Sequence, residues 1–198
     1  MTVKMKVYSD YVCPYCFLAK QTLDEVAKEQ DVVIEWMPFE LRPYPEPTLK
    51  PEDEYLPRVW QQSVYPLAEA MGISIQLPSI SPQPYTHIAF EGYQFAKNYD
   101  RAEAYNERML KAFFQEDRDI GDIEILTELA VEIGLPAAEF KQALKERKYK
   151  AIHQQALKHA CEEVGVTSVP TLVIGGQVLP GMPGKEKLQQ VIEAAKMN

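Results

Sequence analysis

Residues 7–20 read VYSDYVCPYCFLAK, and within them Cys13 and Cys16 stand three apart. A pair so spaced serves as half of a zinc site, as a disulfide staple or as a redox couple. Upstream, VKMKVY alternates apolar and polar residues, the period of a half-buried strand. Downstream the period changes: Ala19, Leu23, Val26 and Ala27 follow the i, i+4, i+7, i+8 spacing of one helix face. Cys13 therefore falls where a strand ends and a helix begins. Pro14 takes the first helical position, which suits its fixed φ and its missing N–H.

VVIEWMPF at 32–39 is β-branched and aromatic, a second strand. Strand, helix and strand in about forty residues imply a parallel pair with a crossover helix. The character then changes. Ten of the fifteen prolines lie between Pro38 and Pro84, and LRPYPEPTLKPEDEY reads as an extended linker. Helical signals follow. DEYLPRVWQQSVYPLAEAMG is expected to be broken or kinked at Pro57 and Pro66. YTHIAFEGYQFAKNYD and AEAYNERMLKAFFQE suggest two more helices. DIEILTELAVEIG has an Asp122 N-cap and a Gly134 stop, and PAAEFKQALKERK starts with Pro136 in the first turn. YKAIHQQALKHACEEVG closes the set at Gly165. Finally, TLVIGGQVL reads as a hairpin turning on Gly175-Gly176, and GKEKLQQVIEAAKMN places Leu188, Val191, Ile192 and Ala195 on one helix face. The order is β-α-β, a helical block, then β-β-α, so that the two ends can form one sheet.

The chain has 198 residues, 46% of them hydrophobic, enough for one domain or one domain with a large insertion. Acids outnumber bases 29 to 21, a formal net charge of −8, which argues against nucleic acid or an anionic membrane as partner. The N-terminus lacks the apolar core and cleavage site of a signal peptide, and no stretch has the length and apolarity of a membrane span. A cytoplasmic location is the expectation. Only three cysteines occur, Cys13, Cys16 and Cys161, too few for a disulfide scaffold.

Zinc requires four ligands. On one helix His153 and His159 diverge by about 240°, and His153 and Cys161 lie about 12 Å apart along the axis. They cannot clasp one ion with the pair, so no metal is expected. The redox reading has a mechanism. Free N–H groups and the positive end of the helix dipole stabilise a thiolate at Cys13. Cys16, one turn on and on the same face, can attack a mixed disulfide formed there. The alternative is two packed core thiols. A second signal is VTSVPTLVI, where a proline precedes a strand. An ordinary trans proline entering an edge strand is one account. Beside a redox pair the expectation is a cis Val169–Pro170 bond that presents the Val169 backbone to a substrate chain.

CPYC at a strand–helix junction with SVPTLVI near the C-terminus resembles the thioredoxin superfamily. The long helical stretch between the two motifs resembles the DsbA-like family. YSDYVCPYCF, MPFELRP and GVTSVPTLVIGGQVLPGMPG are most similar to its cytosolic FrnE-like branch. The resemblance spans essentially the whole chain. It implies an α/β thioredoxin fold with an inserted all-helical domain: a discontinuous thioredoxin-like domain at 1–42 and 165–198, and a helical insertion at 43–164. It implies a thiol–disulfide oxidoreductase or isomerase in which Cys13 is the nucleophile, Cys16 the resolving thiol and Pro170 the cis-proline. Pro14, Tyr15 and Val169 complete the substrate-binding set. Tyr15 stands where that branch often has tryptophan, and the second cysteine pair of some members is missing.

Disulfide-containing proteins or small molecules are the expected partners, with no bound cofactor, glutathione as a candidate co-substrate, and a monomer or homodimer as the assembly. Two other classes compete. One is a glutathione-dependent isomerase or transferase of the hydroxychromene-carboxylate isomerase or kappa type, which does not need Cys16. The other is a non-catalytic binding module using the helices. Among weaker candidates, Asp10 and Glu35 are proton carriers near Cys16 or, equally, a turn residue and a solvent-facing strand position. Tyr11, Tyr44, Trp60 and Tyr65 line a groove or, as aromatics more often do, the core. Cys161 is expected to be a buried helix-face thiol rather than a third active-site sulfur. The histidines are expected at surface or satisfied positions.

Overall fold

Alternation along Val3–Ser9 (β1) points Val3, Met5, Val7 and Ser9 to one face of the sheet, and all four are buried. The computed structural model describes residues 2–197. The helix Pro14–Gln30 (α1) starts from Cys13 in extended conformation and ends at Asp31, whose left-handed backbone returns its N–H to the Ala27 carbonyl. It crosses to Val32–Pro38 (β2), which pairs parallel with β1 from Val3↔Val32 to Ser9↔Pro38. Thr171–Ile174 (β3) and Gln177–Pro180 (β4) form an antiparallel hairpin. Gly175 and Gly176 both have positive φ, 54° and 82°, as its two-residue turn requires. The sheet order is β2-β1-β3-β4, with β3 antiparallel to β1. Cys16, Leu18, Ala19, Lys20, Leu23 and Val26 form the buried positions of α1. Leu188, Val191 and Ile192 are those of Lys185–Lys196, the last helix.

This sheet unit comprises the chain up to Leu41 and from Lys158 onward, and Arg42–Leu157 forms the second unit. The second unit is helical throughout its described regular elements. Tyr55–Val59 (α2) runs through a π turn, Trp60–Val64, into Tyr65–Met71 (α3). The expected break is thus a widened turn ahead of Pro66, which lacks the N–H that a regular helix would use there. His87–Lys97 (α4), Ala102–Glu116 (α5), Ile123–Glu132 (α6), Ala137–Lys145 (α7) and Lys150–Lys158 (α8) follow, which makes Lys185–Lys196 α9. Asp122 caps α6 as expected, its carboxylate accepting from the Glu124 and Ile125 N–H groups at 2.6 and 3.3 Å. Pro136 is extended and stands one position before α7 rather than in its first turn.

The helical core is aromatic. Tyr105, Met109, Leu110, Phe113 and Phe114 of α5 are fully buried, as are Leu126 and Leu129 of α6 and Phe140 of α7. Glu91 on α4 is buried beneath a two-pronged contact from Arg147, with N–H···O distances down to 2.6 Å. The Tyr105 hydroxyl is buried without a hydrogen-bond partner, and burial pushes its ionisation far above the usual tyrosine range. A raised pKa keeps the full stability contribution below about pH 10, where unfolded tyrosine starts to ionise, and loses it as pH rises further. Tyr105→Phe is therefore expected to leave neutral-pH stability intact and to flatten the alkaline loss above about pH 10. Urea unfolding at both pH values checks this. A loss above about 1 kcal/mol at neutral pH would mean that the hydroxyl is paired.

Candidate active site

The site lies where β1 ends. The Cys13 N–H donates to the Asp10 carbonyl at 3.1 Å, closing a tight turn out of the strand. The Cys13 carbonyl then accepts from the Cys16 and Phe17 N–H groups, at 3.1 and 3.4 Å, which opens α1. Cys13 is the helix N-cap, Pro14 follows it at the start of the helix, and the first turn contains no acidic residue. Pairing Tyr8 with Thr171 puts the loop before β3 beside the loop after β1. Cys13 Sγ consequently donates to the Val169 carbonyl oxygen at 3.5 Å. The Val169–Pro170 bond is cis. That loop is fixed on its other side by the Gly181 N–H on the Pro170 carbonyl, 2.8 Å, and by the Thr171 hydroxyl on the Ser168 carbonyl, 2.7 Å.

All three cysteines are free thiols. Cys13 is 4% exposed and Cys16 wholly buried, while Pro14, Tyr15 and Val169 are half-buried and Pro170 is buried. Burial pushes the Cys16 thiol well above its ordinary pKa, and the neighbouring Cys13 adds to this through its hydrogen bond and charge. The Ser9 hydroxyl and the Asp10 backbone pull the other way. Cys16 thus keeps its proton while Cys13 is free.

The remaining sequence candidates separate. Asp10 is buried, and its carboxylate accepts from the Leu41 N–H at 2.8 Å, so it ties the turn after β1 to the segment after β2. Glu35 forms an ion pair with Lys4 at 3.0 Å on neighbouring strands. Tyr11 is buried and Tyr44 is exposed against Tyr85. Trp60 is a core residue packed on Tyr65 and Phe114. His153 is buried and stacked on Phe90.

The expectation of a buried Cys161 is corrected: the thiol is exposed. After α8 the chain forms a π turn, His159–Glu163, in which Ala160 takes the inward position against Tyr8, Phe39 and Val166. The next residue is rotated out of that contact, and Cys161 turns to solvent. Among the described residues, no group of three or more His, Cys, Asp or Glu is placed to hold a metal ion, and no helix is long and apolar enough to cross a membrane. Nothing in the sequence singled out Ser9, the buried last residue of β1, whose hydroxyl favours the Cys16 anion.

A βαβ–ββα sheet with a Cys-X-X-Cys pair at the start of its first helix, facing a cis-proline loop, is the arrangement of a thioredoxin-fold oxidoreductase. The chain belongs to the DSBA-like thioredoxin domain family, whose model matches residues 4–193. It is 53% identical over 193 residues to the uncharacterized protein YwbO of Bacillus subtilis (strain 168), covering 97% of this chain and 96% of that one. In fold it is similar to a probable DsbA oxidoreductase from Streptomyces coelicolor, with a TM-score of 0.78 at 21% identity, covering 99% and 91% of the two chains. It is also similar to a 2-hydroxychromene-2-carboxylate isomerase, with a TM-score of 0.76 at 17% identity over 98% and 95%. A third is the cytosolic disulfide reductase DsbM of Pseudomonas aeruginosa, also solved with GSH, with a TM-score of 0.67 at 15% identity over 98% and 95%.

Proposed function

We propose that the protein is a cytoplasmic thiol–disulfide oxidoreductase acting on protein or small-molecule disulfides, with Cys13 as nucleophile and Cys16 as resolving thiol. The Cys13 thiolate attacks one sulfur of the substrate disulfide, forms a mixed disulfide and expels the first substrate thiolate. Cys16 then gives up its proton and attacks Cys13 Sγ. A Cys13–Cys16 disulfide forms, and the second substrate thiolate leaves and takes up a proton. The substrate gains two electrons and the pair loses two; the reverse sequence oxidises a dithiol.

The observation that carries this reading is the 3.5 Å contact between Cys13 Sγ and the Val169 carbonyl. It puts a main-chain acceptor beside the attacking sulfur, where an extended substrate segment can pair with the loop. Pro14 and Tyr15 flank the sulfur on the helix side, and Val169 and Pro170 on the loop side. Glutathione suits the small-molecule arm as the thiol that returns the pair to its dithiol form, and DsbM, a cytosolic neighbour in fold solved with GSH, supports both choices.

Cys16→Ser is the test. Mixed with a disulfide substrate, the variant is expected to accumulate a stable adduct on Cys13, located by peptide mass spectrometry, and to lose dithiol turnover. Full turnover without an adduct would favour the glutathione-dependent isomerase reading, which needs only the first thiol.

A further inference from the structure

Ser9 ends the inward row Val3, Met5, Val7, Ser9 of β1, and Cys16 begins the buried row that continues through Ala19, Leu23 and Val26 on α1. Ser9 is 2% exposed. Its hydroxyl makes no hydrogen bond in the dithiol as it stands. A buried hydroxyl without a partner is uncommon and costs free energy in the resting fold. Its backbone carbonyl, by contrast, is engaged, accepting from the Phe39 N–H at 3.0 Å, so the residue cannot swing away from the strand end. Of the groups around Cys16, the Ser9 hydroxyl and the Asp10 backbone are the ones that favour that sulfur's anion. Cys13 pushes the ionisation of the same sulfur the other way.

Resting on the dithiol reading above, we propose that Ser9 is a positioning residue for the resolving step: its buried hydroxyl donates to Cys16 Sγ as that thiol ionises. During resolution Cys16 must become a thiolate inside a buried site, where no solvent can stabilise the charge. The hydroxyl proton supplies one hydrogen bond at that moment and none is lost elsewhere, because the group has no prior partner. Atoms and electrons are unchanged by this contact. The Cys16 proton leaves for the departing substrate thiolate, the new Cys16–Cys13 bond forms, and Ser9 keeps its own proton throughout.

The test uses an aromatic disulfide whose thiolate product is coloured. Attack by Cys13 releases one equivalent, and resolution by Cys16 releases the second, so the two phases read the two sulfurs separately. In Ser9→Ala the second phase is expected to slow by about tenfold, the scale of one hydrogen bond to a charged group. Its pH midpoint should move upward, the first phase should stay as in wild type, and Ser9→Thr, which keeps the hydroxyl, should recover most of the rate. Thermal unfolding of both variants confirms that the fold is retained. A second phase of unchanged rate and pH midpoint in Ser9→Ala overturns the assignment, and so does a slowing of both phases alike in a folded protein. Absence of a second release from the wild type overturns the dithiol reading itself, and the Ser9 assignment with it.

Discussion

Cys13→Ser is expected to lower the turnover of disulfide reduction by roughly a thousandfold or more, the scale seen when a covalent nucleophile is removed. A serine hydroxyl is not ionised at neutral pH and cannot form the mixed disulfide. The substitution is small, and the contacts of Cys13 Sγ, with the Val169 carbonyl and the neighbouring Cys16, can be kept by a hydroxyl. Stability should therefore change little, which separates a chemical defect from a folding defect. Reduction of insulin by the variant and the wild type under one thiol donor gives the comparison. Cys161→Ser serves as the control. That thiol is exposed, and its pKa is pushed up by desolvation and by Glu162, so its loss should leave turnover unchanged.

The largest effect on stability is expected at Trp60. Its indole is 2% exposed and packs against Tyr65 at 5.3 Å and Phe114 at 6.0 Å between ring centroids. It also begins the π turn that joins α2 to α3. Trp60→Ala removes this buried area and leaves a cavity that Pro66 and the adjoining helices cannot readily collapse. A loss of about 3–5 kcal/mol is expected from urea unfolding. Against a total of about 5–15 kcal/mol for an ordinary domain, that is a large fraction. Val131→Ala, on an exposed helix face, should stay within about 0.5 kcal/mol. A similar small effect at Trp60 would show that the indole is not a core residue.

Much of the sheet unit is legible in the sequence because its signals are local. Alternation in VKMKVY marks β1, the change of period after CPYC marks α1, and Gly175-Gly176 marks the hairpin. Even the cis form of the Val169–Pro170 bond follows once the two motifs are considered together. The misses are contacts made across the fold. Nothing near Asp10 in sequence indicates that its carboxylate accepts from Leu41. Ser9 is an ordinary small residue until register and helix face bring it toward Cys16. Cys161 is a helix-pattern residue whose outward direction depends on a π turn, a local widening that helix periodicity of 3.6 does not register. The aromatic residues Trp60 and Tyr11 show the same limit from the other side: both are buried, as core residues are.

The most direct test of the central claim is a redox titration of the wild-type protein. It is equilibrated in glutathione buffers from reducing to oxidising, acid-quenched and mapped by peptide mass spectrometry. One reversible two-electron transition is expected, in which the peptides carrying Cys13 and Cys16 pass together between dithiol and intramolecular disulfide, with Cys161 unpaired throughout. If the pair stays reduced across the range, or if either cysteine pairs with Cys161 instead, the assignment of Cys13 and Cys16 as the redox couple is contradicted.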